Sequence, residues 1–524
     1  LAAIPLIAVA AALLAPGDDA WAHLANTNLL TYVSNTGLLM LLTGAIAAVI
    51  GVSSAWLIAA TDFKGRALLS WALVLPLAAP AYIIAYLYTD LLAFSSPVQT
   101  SLRGALGLAK SSAVLPNIRS LPGAAFLLAL VLYPYIYLLA RTAFQTQASS
   151  QFQAARTLGQ NAYGAFFKVA LPSARPAIAG GLALVLMETL ADFGVADYFA
   201  LPTFSTGIFR TWLALGEKQA ALKLAGVMLL VVALLVMLEA ASRKGRTDTG
   251  GRTAPQADRM ALSPRATLLA WGICGVPVLL GFVIPMAVLS GFALSGGDQM
   301  LGRGFALYAW NSARVAIAAS LIAVGIALLL SYVQRASANR LTNSAIRFST
   351  LGYALPGALL AVGLLGPIGA IDRSLTDFAA ETFAWRGGLL LTGTTAVLLY
   401  AYVVRFLTVS FNTLSASLGR IPLVTDAAAR TLGAGPWGVL RRIHLPMIRS
   451  GLLAAGLLVF VDVMRELPAT LILRPFNFET LATRVYRLAG DERLTEASTA
   501  ALSIVLIGLV PILLLNRASD QTQR

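Results

Sequence analysis

Uncharged apolar stretches long enough to cross a lipid bilayer recur along the whole chain. They constrain its fold more than any other feature, because a helix needs about 20 residues to traverse a hydrocarbon core of about 30 Å. Clear cases are residues 20–61, whose polar start leaves room for one span, and 67–89, 120–140, 266–297, 315–334, 348–371, 387–404 and 497–516. Shorter or interrupted ones are 1–17, 176–192, 224–238 and 450–461. They predict twelve spans, six on each side of a break. The first is short for a span, and a cleaved signal peptide is its other reading.

Charge supports the same class. Only 12% of the residues are charged, against about 25% in soluble domains. The net charge of +15 therefore serves orientation in a membrane rather than nucleic-acid binding. Cys274 is the single cysteine, which excludes a disulfide framework and a Cys-based metal site.

The break is "RKGRTDTGGRTAPQADRMALSPR", residues 243–265, rich in Arg, Gly, Thr and Pro and without apolar periodicity. It reads as a linker between domains 1–242 and 266–524. Features recur in fixed order on either side. A basic loop (Lys64 and Arg66; Arg335, Arg340 and Arg347) precedes a Leu-Pro pair (Leu75-Pro76; Leu355-Pro356), and "ARTLG" follows at 155–159 and 429–433. This order signals duplication. Six spans per half is an even number, so the halves enter the membrane in the same sense, as parallel repeats. The side carrying both "ARTLG" copies, the linker and the C-terminus collects the larger share of the 38 Lys and Arg residues. The positive-inside rule makes that side cytoplasmic.

In full, the copies are "QAARTLGQNAYGAFFKVALP" (153–172) and "AAARTLGAGPWGVLRRIHLP" (427–446), with identical spacing. Ala-Ala-Arg-Thr-Leu favours a short helix, and Gly159 or Gly433 suits the left-handed residue that ends one. An amphipathic helix follows, with Phe166, Val169 and Ala170 or Val439, Leu440 and Ile443 on its apolar side. Pro172 and Pro446 are expected to end it. His444 reads as an interfacial side chain, and His23 has no partner at metal-ligand spacing.

The pattern resembles the EAA motif of ABC-importer permeases, E-A-A-x(3)-G-x(9)-I-x-L-P, and two copies resemble the fused members of that family. The resemblance implies an all-α polytopic membrane protein with the type I importer permease fold, in a bacterial inner membrane. It further implies coupling loops at Gln153, Ala154, Ala155, Arg156, Gly159, Leu171 and Pro172, and at Ala428, Ala429, Arg430, Gly433, Leu445 and Pro446. These would be held by a cytoplasmic ATPase homodimer. A substrate-binding protein, periplasmic or lipid-anchored, would dock opposite, with one copy of this chain per complex and membrane lipids around it. The motif's Glu is replaced by Gln153 and Ala427, with Asp426 one position early. A Walker A loop would contain Gly-Lys, and the chain has no such pair. ATP hydrolysis is thus expected on a separate subunit, with no cofactor on this chain.

Behind each motif lies an acidic span. "METLADFG" carries Glu188 and Asp192; "VDVMRELP" carries Asp462, Arg465 and Glu466. A shift of 274 places Glu188 on Asp462 and Asp192 on Glu466, each pair at i, i+4 on one expected helix face. Intramembrane carboxylates cost about 2.5–3.5 kcal/mol each and usually face a polar cavity, so the four are candidates for lining a path. Neutralisation by Arg465, or capping of a helix end, is the structural alternative. Carboxylate oxygens suit hard cations. A metal ion is then a more natural passenger than an anion, with transient contacts at Glu188, Asp192, Asp462 and Glu466.

The segments 188–212 and 465–486 resemble those of ferric-iron importer permeases. That resemblance implies ferric iron as cargo, with thiamine, an aminophosphonate or a polyamine as alternatives. Arg210, Arg474 and Arg484 are candidates for meeting the binding protein. Tyr82, Tyr86, Tyr133, Tyr135 and Tyr137 read as packing or belt residues. An ion-gradient-driven carrier and a metal channel are readings from other classes.

Overall fold

A computed structural model describes residues 3–109, 114–146, 155, 157, 159–243, 259–296, 303–336, 339–350, 352, 355–383 and 388–521. Gln153, Ala154, Arg156 and most of the expected linker lie outside them. Among the described residues nine helices are long and apolar enough to cross a membrane, and three bent helix pairs bring the number to twelve. The protein is a multi-pass, all-α membrane protein.

The bent pairs depart from straight spans. Arg66–Ala78 and Ala81–Leu91 meet at 92°, where 67–89 reads as one uncharged run. Pro76 opens a 3-10 turn, Leu75–Ala78, and Pro80 precedes the next helix. Prolines at both positions withhold the N–H groups that a continuous helix requires.

Duplication reaches into the hydrogen bonding. Asn35 Nδ2 donates to the Pro202 carbonyl at 3.1 Å, and Asn311 Nδ2 to that of Glu479 at 3.1 Å. The neighbouring hydroxyls, Thr36 and Ser312, accept from the N–H groups of Phe204 and Leu481. Each of those residues opens a helix with a Thr-x-x-Thr capping box, Thr203/Thr206 and Thr480/Thr483. Such boxes satisfy first-turn N–H groups that have no intrahelical acceptor.

The halves interlock rather than sit side by side. Ile4–Leu14 packs against both Lys218–Arg243 and Gly357–Phe383. A Cβ on Gly363 would lie 2.8 Å from the Pro5 carbonyl, so glycine permits that approach. Conversely, Pro264–Val278 packs on Leu29–Ala60, and Ile284–Gly296 on Ala81–Leu91 and Leu494–Gln521. One core cluster accordingly takes side chains from both halves, among them Tyr86, Phe193, Leu359 and Tyr402.

Candidate functional site: a charged cavity between two repeated loops

The two "ARTLG" copies end their short helices in the same way. Gly159 has φ +86° and Gly433 φ +82°, a conformation that costs residues with a Cβ about 1–2 kcal/mol. The Gln160 N–H donates to the Ala155 carbonyl at 3.1 Å, and Ala434 N–H to Ala429 at 3.0 Å. This six-to-one bond satisfies a terminal carbonyl of the helix. In the second copy, Leu423–Thr431 holds Ala428, Ala429 and Arg430, with Ala429 turned inward. Around it Leu423, Val424, Leu432 and Trp437 stand exposed, Leu432 at 88%. Large apolar side chains thus stand uncovered around this short helix.

Pro172 and Pro446 do not end the following helix, contrary to the expectation. A five-residue π-turn, Phe166–Ala170 or Leu440–His444, precedes each Leu-Pro pair. Leu171–Ala191 then continues with Pro172 in its first turn, where a missing N–H is tolerated. In the second half the helix runs past Pro446 to Met447 and breaks at Ile448, with a bend of 76°.

The π-turn also places His444. Its side chain is fully buried, and Nε2 lies 2.8 Å from Asp426 Oδ1. Arg335 holds the other oxygen through Nε at 2.8 Å and bonds the carbonyls of Leu418 and Ile421. Among the described residues no partner reaches the buried Nδ1 of His444. Burial raises the Asp426 pKa, but the bonds from Arg335 and His444 outweigh it and hold the carboxyl below its ordinary value. A lowered carboxylate stabilises the fold above the ordinary carboxylate range and loses that contribution as pH falls through the depressed pKa. Asp426→Asn is expected to cost about 3 kcal/mol locally, as for a broken buried ion pair. Hydrogen exchange across residues 423–446 checks this, and faster exchange is the expected outcome. The first loop is packed by aromatic rings instead: Phe166 lies 4.8 Å from Trp56 and 6.2 Å from Phe144 between centroids.

Between the halves lies a cavity of about 140 Å³ lined by Glu188, Asp192, Asp462, Arg465 and Glu466, together with Arg405, Tyr82 and Tyr135. All five charged residues expected along the path meet there. The i, i+4 pairs do not share a helix face, however. Leu171–Ala191 and Arg449–Met464 both stop before the second acid. Asp192 then accepts from the N–H of Ala196 at 3.1 Å, and Glu466 from those of Ala469 and Thr470 at 3.2 and 3.1 Å. Each carboxylate caps the short helix beyond the break, Gly194–Tyr198 or Pro468–Leu473, where acidic groups are favoured.

The second half's acids are paired with arginine. Glu466 is 5% exposed and meets Arg405 Nη1 at 3.0 Å. A Cβ on Gly357 would collide with both partners of that pair. Arg465 bonds Asp462 at 2.5 Å. The cavity lining therefore carries four carboxylates against two guanidiniums, a formal excess of two acids. Among the described residues no three His, Cys, Asp or Glu side chains converge on a metal-sized site.

The other expected residues separate. Arg484 is buried, with its guanidinium 5.3 Å from the Tyr308 ring, so it offers nothing to a docking partner. Arg474 lies 3.6 Å from Glu479, which Arg487 meets at 2.7 Å; Arg210 is exposed. Tyr82, Tyr86, Tyr133 and Tyr137 are buried, as packing rather than belt residues. Arg405 is an addition to the sequence reading, and Arg335, read there only as part of a basic loop, gains a specific partner. They terminate the uncharged runs 387–404 and 315–334; the helix Thr395–Gly419 continues through Arg405, whereas Arg335 stands in the last turn of Arg303–Ala336.

The structure is a repeated helical membrane domain with two matched loops and a charged cavity between its halves. Residues 47–241 match the family described as binding-protein-dependent transport system inner membrane component. The matched span lies in the first half, and the repeat at a shift of 274 makes the whole chain similar to fused, two-domain permeases of that kind. The chain is 26% identical over 491 residues to the Fe(3+)-transport system permease protein FbpB 2 of Haemophilus influenzae, covering 93% of this chain and 89% of the relative. The putative ferric transport system permease protein FbpB 1 of the same organism is 23% identical, covering 79% and 65%. The putative 2-aminoethylphosphonate transport system permease protein PhnV of Salmonella typhimurium is 26% identical, covering 48% of this chain and 94% of that one.

Proposed function

We propose that this permease carries ferric iron inward through the cavity between its halves, driven by a separate ATPase dimer. The observation that carries the reading is the lining: Glu188 and Asp192 from one half and Asp462 from the other, with a formal excess of two acids. Hard carboxylate oxygens match a small, highly charged cation. The absence of a three-ligand cluster among the described residues favours passage over retention.

The two "ARTLG" helices lie in the cytoplasm on this reading, each gripped by one ATPase subunit. The exposed Leu423, Val424, Leu432 and Trp437 supply apolar area for that grip, and no Glu at the motif's first position is required. Closure and opening of the ATPase dimer would rock the halves about the central axis and expose the cavity alternately to each side. A substrate-binding protein would deliver cargo at the opposite end, where Arg210 is exposed.

Arg405 and Arg465 favour a second reading, in which the cavity accepts an anion such as 2-aminoethylphosphonate. Both guanidiniums already face a carboxylate, Glu466 and Asp462, which weakens it. Uptake by the complete reconstituted complex, offered ferric iron and 2-aminoethylphosphonate in parallel, separates the two.

A further inference from the structure

Arg465 does more than neutralise its neighbour. Its Nη2 bonds Asp462 at 2.5 Å, while Nη1 reaches across the cavity to the backbone carbonyl of Leu77, in the other half, at 3.0 Å. That acceptor is a consequence of sequence. Leu77 lies in the 3-10 turn Leu75–Ala78, whose next i+3 donor would come from Pro80, a residue with no N–H. The carbonyl is thus left for a side chain.

The turn is firmly seated. A Cβ on Gly508 would lie 2.6 Å from the Ala78 carbonyl, and one on Gly281 3.3 Å from Pro76. Glycine at both positions lets two helices of the second half press against it. The guanidinium therefore sits between a carboxylate of one half and a fixed carbonyl of the other, and it is 28% exposed toward the cavity. Two oxygens of this kind are also the ligands that a hard cation prefers.

We propose that Arg465 is a resident counter-ion that holds the cation position and latches the two halves until arriving cargo takes over Asp462 and the Leu77 carbonyl. This rests on the cation reading above. A monovalent ion competes poorly with a guanidinium making two charge-assisted bonds, whereas a trivalent ion gains far more from the same carboxylate. The latch thereby links cargo charge to release of the halves, and so to ATP hydrolysis. No counterpart exists in the first half, where Ala191 stands 274 positions before Arg465.

The test is ATP hydrolysis and uptake by the complete complex in proteoliposomes, with its ATPase and a binding protein loaded from ferric citrate. Arg465→Gln is expected to raise cargo-independent hydrolysis about tenfold, the population shift from losing a charge-assisted latch. Iron moved per ATP should fall by a similar factor without a rise in KM. Arg465→Lys, which keeps a cation of similar reach, should stay near the wild type and shows that the site tolerates substitution. Unchanged basal hydrolysis in Arg465→Gln overturns the latch. A tenfold higher KM with unchanged basal hydrolysis also overturns it, because Arg465 would then bind cargo directly. A wild-type complex that moves 2-aminoethylphosphonate and not iron overturns the cation reading itself, and so is distinguishable from failure of the latch alone.

Discussion

Changing Gly159 and Gly433 together to valine is expected to reduce uptake by more than about tenfold. Each glycine adopts a positive φ that costs residues with a Cβ about 1–2 kcal/mol, and β-branched ones more. Among the described residues nothing lies within 4 Å of a Cβ built at either position. The penalty is therefore one of backbone conformation, not collision. Valine is expected to shift the helix end and break the bonds from Gln160 to Ala155 and from Ala434 to Ala429, moving both loops relative to the ATPase proposed to grip them. Asparagine, which tolerates the left-handed region, should retain most of the uptake at the same positions. Uptake and ATPase binding, measured on both variants, check this. Equal, wild-type uptake by the valine variant would remove these helix ends from the coupling path.

The second large effect is expected in the cavity. Glu188→Gln with Asp192→Asn should lower ferric uptake about 100-fold, on the scale of two lost charge-assisted contacts to cargo, while ATPase binding survives. Glu466→Gln should behave differently. Its carboxylate caps Pro468–Leu473 and pairs with Arg405, so the amide leaves a buried guanidinium uncompensated. The amount of folded protein should fall before the rate per molecule does, as read by fluorescence-detected size-exclusion chromatography beside uptake. Wild-type uptake by the Glu188/Asp192 variant would reduce those acids to helix caps and counter-charges.

Much of the architecture was legible because membrane insertion leaves few options. Uncharged runs of spanning length mark the helices, and a fixed shift of 274 aligns the loops and the acids. The same criterion concealed Arg405 and the partner of Arg335. A search for uncharged runs stops at a charge, although a helix passes through one that finds a partner, as Arg405 does at Glu466; Arg335, in the last turn of its helix, finds Asp426. Helical periodicity likewise put Asp192 and Glu466 on a face. Neither lies in a continuous helix, because the chain breaks beside Phe193-Gly194 and Leu467-Pro468, and the backbone N–H groups beyond each break take the carboxylate. The prolines of the two loops were legible as residues but not in effect, since the π-turns that accommodate them depend on packing against the rest of each half.

Asp426 shows how a departure from a motif is absorbed. Ala427 occupies the position where the resembling family has Glu, and the neighbouring carboxylate binds Arg335 and His444 within the same chain. The first loop is secured by Trp56, Phe144 and Phe166. Two loops of like spacing are thus held by different physics, one ionic and one aromatic. The sequence repeat alone does not distinguish them.

The most direct measurement is initial uptake of radioactive ferric citrate by proteoliposomes containing this chain, its ATPase and its binding protein, with and without ATP and with 2-aminoethylphosphonate as competitor. The account predicts uptake that requires ATP and the ATPase and is unaffected by excess phosphonate. Uptake that persists without the ATPase, or phosphonate transport in place of iron, would contradict it.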